Sequence, residues 1–179
     1  HEALETIYRH LGRRRERRAH LIALRKHARE SALARWASLA MARTARFELD
    51  EGFLARALPV AQKAAEMARA GKQSSLEVDA LTTLSEILRD LGDIQGAIDA
   101  AERALRVADK GGLGARARAE VVRAKGVLLR YTGRVEEAVE CYAESLAVFR
   151  MLGARRSEAR TKVSLAYAMF VMERYEDTI

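Results

Sequence analysis

The sequence predicts an all-α protein built from about five antiparallel helical hairpins, the last of them incomplete. Three observations predict it. Among 179 residues there is a single proline, only 6% are aromatic, and Ala, Leu, Arg and Glu dominate, the residues that lose least on entering a helix. Apolar residues recur at spacings of three and four, the helical period. A turn motif of glycine, any residue, an apolar residue, two more residues and alanine recurs at Gly52 to Ala57, Gly92 to Ala97 and Gly133 to Ala138, its glycines 40 and 41 residues apart. With 49% hydrophobic residues the chain can bury a core, which excludes disorder.

The same step locates the other units. One step back from Gly52 reaches Gly12, and one step forward from Gly133 reaches Glu173, just before Arg174-Tyr175. A single repeat domain is therefore expected over 1–179, with units near 1–31, 32–73, 74–113, 114–155 and 156–179. In the second unit Pro59 lies about six residues inside the helix that starts near Phe53, which implies a kink or a later helix start. In the third, Leu81, Leu84, Leu88 and Leu91 share one helical face before the glycine, and Ala97, Ala101, Ala104 and Ala108 share one after it. Ser74 with Glu77 reads as a capping box, and Asp93 as the cap of the following helix. The fourth unit repeats the pattern with Val122, Leu129, Ala138 and Tyr142. Small residues stand seven before the glycine at Ala45, Ser85 and Gly126, where they let two helices approach closely. Residues 71–75, 110–114 and 152–156 read as short turns, and no segment is long enough to be an interdomain linker.

Charge and chemistry narrow the function. Arg13 to Arg29 holds eight cations against Glu16 alone, which accounts for the whole net charge of +7. Cations at a helix start oppose its dipole, so the group Arg13, Arg14, Arg15, Arg17 and Arg18 reads either as a solvated helix end or as a basic patch for an acidic partner. Nucleic acid is the weaker reading of that patch, because no aromatic interleaves the arginines to stack a base. Cys141 cannot pair within the chain, so a reducing, cytoplasmic setting is expected. The longest apolar stretch, 163–172, is half of the roughly 20 residues a membrane span needs. The chain starts at His1 and stops within a helical pattern, and is read as a piece of a larger protein.

No catalytic arrangement emerges. Gly111-Gly112-Leu113-Gly114 lacks the Lys-Ser/Thr of a phosphate loop. Cys141 stands beside Glu140 and Glu144, whose charges raise a thiol pKa, the wrong direction for a nucleophile. His10, His20 and His27 all fall in the first unit without the ligand set of a metal site. Neither an enzyme, nor a cofactor, nor a metal is expected.

The residues Leu91-Gly92-Asp93-Ile94 with Ala97, and Gly126 with Gly133, Val135, Ala138 and Tyr142, resemble the tetratricopeptide repeat family. The segment 147–160 is similar to its longer-hairpin variety found in bacterial signalling ATPases, kinases and transcription regulators. The spacing of 40 departs from the family's usual ~34 and alone would suit HEAT or armadillo repeats, which run ~40–47. No proline closes the units, and Arg17 and Thr178 stand where the motif has alanine. The turn motif favours the tetratricopeptide reading.

That resemblance implies a right-handed superhelix (solenoid), with the first helix of each hairpin lining a concave groove. Groove positions are then Arg9, Arg43, Arg46, Thr82, Thr83, Glu86, Arg89, Arg123, Val127, Arg130, Tyr131, Tyr167 and Phe170. Arginine outnumbers acid among them, so an acidic or carboxylate-bearing peptide is the expected guest, the bland alternative being simple exposure. The family's clamp of lysines and asparagines cannot be carried over, since the sequence has no asparagine. Trp36 reads as core packing rather than a ligand platform. The expected function is a non-catalytic protein–protein interaction module, the sensor or scaffold part of a larger bacterial regulatory protein. The alternatives are self-association through the end repeat and nucleic-acid binding through Arg13 to Arg18; no membrane contact is expected.

Overall fold

The computed structural model describes residues 12–176 apart from Ala32, with side chains as far as Glu173. The described residues form eight α-helices and no strand: α1 Arg14–Glu30, α2 Ala34–Asp50, α3 Leu54–Ala70, α4 Ser74–Asp90, α5 Ile94–Lys110, α6 Ala115–Tyr131, α7 Val135–Met151 and α8 Arg155–Glu176. Each of α1 to α7 has 17 residues. From α2 onward, turns of three or four residues separate them, which sets the step of 40 or 41. The all-α repeat of hairpins predicted from the turn motif is the fold observed.

One backbone device closes helix after helix. At Gly92 the chain takes a φ of +86°, the Asp93 amide donates to the Leu88 carbonyl at 2.9 Å, and the Gly92 amide donates to Arg89 at 3.0 Å. This paired bond is a Schellman cap, and it needs a left-handed residue at its centre. Gly52, Gly112, Gly133 and Gly153 occupy the same place at positive φ, with the equivalent long bond from the next amide. Between α3 and α4 the place falls to Lys72, at a φ of +55°, with the Gln73 amide donating to Ala68 at 2.9 Å.

Several local expectations change. Asp93 does cap α5, its carboxylate accepting from the Gly96 amide at 2.9 Å. Ser74 does not head α4 as a cap, because the Gln73 carbonyl already accepts from the Glu77 amide at 3.0 Å, which moves the helix start one residue earlier. Leu91 lies past the end of α4 and is exposed rather than on the buried face. Pro59 neither delays nor interrupts α3, which starts at Leu54 and carries proline on its exposed side.

The chain divides into two compact units, 1–83 and 84–179. In the first, α1 packs on α2 and α2 on α3. Leu24, Leu39 and Ala40 form a core with Trp36, Ala28 and Leu76, so Trp36 is packing, with His27 edge-on to its ring at 5.0 Å. Along α3, Ala57, Ala61, Ala64 and Ala68 are wholly buried, and such small side chains allow close helix approach. In the second unit α5 packs on α6, α6 on α7 and α7 on α8, while α6 also touches α8. Ala97, Ala101 and Leu128 form one core cluster; Leu129, Val135, Ala138, Tyr142 and Ala168 form another. The small positions act as expected. Ser85 Oγ donates to the Ala97 carbonyl across the hairpin at 2.8 Å, and Gly126 lies against Tyr142. No helix among the described residues is long and apolar enough to cross a membrane.

Candidate functional site

The first helices of successive hairpins in the second unit, α4, α6 and α8, share a concavity of about 190 Å³. Four of the expected groove residues line it: Glu86 and Arg89 from α4, Arg123 and Val127 from α6. Helical spacing explains the convergence, since residues three and four apart share a face and the 40-residue step brings matching faces into line. Arg160 of α8 also lines it and was missed. The signal was available: continuing the Phe170–Tyr167 stripe towards the start of α8 by two turns reaches Arg160.

The arginines differ in what they already hold. Arg89 is half-buried and donates to Asp90 Oδ1 from Nε at 2.8 Å and from Nη2 at 2.6 Å. Arg123 is buried, only 7% exposed, with its Nε 3.3 Å from Glu120 Oε2; Glu120 in turn accepts from the Ser157 hydroxyl of α8. It is a packed side chain first and a groove cation second. Arg130 is different. Its guanidinium lies 4.8 Å from the centre of the Tyr131 ring and 4.7 Å from that of Tyr167, and no carboxylate among the described residues pairs with it. The Arg89 guanidinium lies 5.9 Å from the same Tyr131 ring. Tyr131 is 57% and Tyr167 52% exposed, so two aromatic rings hold a cation at the surface. Beneath it, burial pushes the Tyr142 phenol above its ordinary pKa, an effect opposed by the nearby Arg130 charge.

Arg43 and Arg46 stand on α2 of the first unit, both half-buried; Arg43 approaches Asp79 at 4.0 Å. Thr82 and Thr83 turn their hydroxyls onto their own helix, to the carbonyls of Val78 and Asp79, and Thr83 is buried. Phe170 is 53% exposed on α8. Arg9 and His10 lie outside the described residues.

The basic cluster at the start of α1 is not one surface. Arg17 is 4% exposed; it pairs with Asp50 of α2 at 2.8 Å, and its guanidinium lies 5.1 Å from the Phe47 ring centre. It stands five after Gly12, the position where Ala57, Ala97 and Ala138 are wholly buried, so the repeat's register draws it inside. Arg14 pairs with Glu51 at 3.2 Å and Arg13 approaches Glu16 at 3.8 Å, while Arg15 and Arg18 stay exposed.

Cys141 is half-buried, and its thiol is pushed above its ordinary pKa mainly by burial, helped by Glu144, Glu140 and Glu137 and opposed by Lys125. The direction matches the expectation; the leading cause is desolvation rather than the neighbouring acids.

Residues 78–110 match the tetratricopeptide repeat family. Three solved structures are similar in fold. The signal transduction ATPase with numerous domains from Pyrococcus horikoshii, which has a tetratricopeptide repeat sensor, aligns with a TM-score of 0.72 at 16% identity, covering 92% of this chain and 26% of its own. BtubC from P. vanneervenii aligns at 0.69 and 17% identity, covering 85% and 62%. A kinesin light chain-like protein from Podosopora anserina, with nearly identical repeats, aligns at 0.67 and 16% identity, covering 98% and 86%. The chain thus spans about a quarter of the ATPase and under two thirds of BtubC. A search of the curated proteins finds no match.

Proposed function

For a chain that carries a tetratricopeptide repeat at 78–110 and has the fold of such repeat proteins, we propose a non-catalytic protein-interaction module that holds an acidic peptide against α4, α6 and α8. Tetratricopeptide repeats generally mediate protein–protein interaction, which supports the class. One observation supports the place: Arg130, held by Tyr131 and Tyr167, pairs with no carboxylate among the described residues. A guanidinium fixed by aromatic faces has lost side-chain freedom in advance, so less entropy is given up when a carboxylate arrives. A charge-assisted hydrogen bond of this kind contributes about 1.5–3 kcal/mol. Arg89, already shared with Asp90, serves as the second cation, and Arg160 extends the charge along α8.

The wider role is that of a sensor or scaffold segment of a larger bacterial regulatory protein in the cytoplasm, a reading supported by the fold shared with part of a signalling ATPase that has a tetratricopeptide repeat sensor. Titrating the chain with a labelled carboxylate-rich peptide tests the groove. Arg130→Glu combined with Tyr167→Ala is expected to weaken binding roughly tenfold or more while leaving helicity unchanged. Affinity and binding stoichiometry both unaltered reject the groove.

Self-association is a second reading, supported by α8, where Val163 is 71%, Met169 51% and Phe170 53% exposed. Sedimentation at rising concentration distinguishes it: a monomer throughout rejects it.

A further inference from the structure

The first unit carries a separate hollow of about 480 Å³, walled by α1, α2 and α3. Five arginines line it against two acids. Two of the five are already matched, Arg14 to Glu51 at 3.2 Å and Arg56 to Glu48 at 2.8 Å. Three remain: Arg25 gives only its Nε, to the Thr44 hydroxyl at 3.1 Å, and Arg15 and Arg18 have no ion-pair partner among the described residues. They recur at spacings of three and seven, so all three lie on one face of α1, with Ile22 exposed between them. In the wall behind them, Glu48 is 7% exposed; its Oε1 accepts from Arg56, while its Oε2 is buried and accepts no hydrogen bond. A buried carboxylate oxygen left without a donor is costly. The hollow therefore presents unmatched cationic donors at its mouth, and Glu48 lies buried in the wall behind them.

We propose that this hollow binds a carboxylate-bearing peptide segment, distinct from the guest of α4, α6 and α8. Acidic side chains of the segment meet Arg15, Arg18 and Arg25. A nucleic-acid backbone supplies only acceptors and brings its phosphates towards Glu48 and Glu51. Stacking of bases is also hindered, since the Arg56 guanidinium covers one face of Phe53 at 4.9 Å and that of Arg17 one face of Phe47 at 5.1 Å. Arg15 lies in the first turn of α1 and Arg18 at the start of the second, where cations oppose the helix dipole. Recognition of an anion offsets that cost.

The test uses the full chain carrying Arg130→Glu, so that the other groove is silenced, and fluorescence anisotropy of a labelled oligoglutamate nonapeptide. Binding is expected to persist in this background and to fall roughly tenfold or more when Arg15→Glu and Arg18→Glu are added. Both residues are exposed and near the start of α1, where glutamate suits the helix dipole, so circular dichroism should show undiminished helicity. An oligoglutamine peptide should bind at least tenfold more weakly than oligoglutamate. The proposal is overturned if the Arg130→Glu chain does not bind, if the double reversal leaves affinity unchanged, or if oligothymidylate binds more tightly than the acidic peptide.

Discussion

Gly126 of α6 faces the ring of Tyr142 on α7 so closely that a Cβ added to Gly126 would stand 2.8 Å from Tyr142 Cε1 and 3.1 Å from Cys141 Cβ. Two effects of opposite sign therefore compete in Gly126→Ala. Alanine gains about 1 kcal/mol of helix propensity over glycine. Overpacking a tight contact costs typically 1–3 kcal/mol, and here the neighbour is a wholly buried ring with little room to turn. The contact wins, and the variant is expected to unfold at lower denaturant concentration than the parent. Ala45 and Ser85 occupy the same place in the earlier hairpins, so glycine is required by the size of Tyr142 rather than by the backbone.

The Arg17–Asp50 pair joins α1 to α2 where the other hairpins use alanine. Arg17→Ala restores the repeat's residue but removes a buried ion pair and its packing on Phe47. A loss on the order of 2–4 kcal/mol is expected, since breaking a buried pair costs more than replacing it. Adding Asp50→Asn should return part of that loss. Urea unfolding of the two single variants and the double one gives the coupling; additive effects would show that Arg17 acts through packing alone.

Lys72 takes the left-handed place that glycine holds at the other turns from α2 onward. A side chain there costs roughly 1–2 kcal/mol in an L-residue. Lys72→Gly removes that strain but gains disorder in the unfolded chain, so a net stabilisation of about 0.5–1 kcal/mol is expected. A shift of the thermal midpoint upward checks it. Gly92→Lys should do the reverse.

The turns were legible because glycine at positive φ announces itself and because the motif returns every 40 or 41 residues. Lys72 was not, since nothing in a lysine marks a left-handed backbone; only the register points to it. Helix faces were legible for Leu81, Leu84 and the alanines of α5, but Leu91 was misplaced because periodicity runs on past the residue where a Schellman cap ends the helix. The groove positions implied by the family resemblance include four residues that line the second unit's concavity, Glu86, Arg89, Arg123 and Val127. Which arginines are already neutralised was not legible, because Asp50 lies 33 positions from Arg17 and only packing brings them together. For the same reason Arg123 read as a surface cation although it is buried against Glu120.

The Cys141 thiol is held protonated by burial and by three glutamates, with Lys125 opposing. Its folded pKa is raised, so the native state keeps the proton where the unfolded chain gives it up. The stability from this group is present below the ordinary thiol pKa and is lost as pH rises through the higher folded value. Two outcomes follow. Alkylation of native Cys141 should require more alkaline solution than alkylation of the urea-unfolded chain, because only the thiolate reacts. The chain should also lose stability in alkali faster than Cys141→Ala or Cys141→Ser does, provided each is compared with its own value near neutrality. Equal alkylation profiles for folded and unfolded chain would mean that the thiol is as well solvated in the hairpin as in water, and that Cys141 does not pack between α6 and α7 as its contact with Gly126 requires.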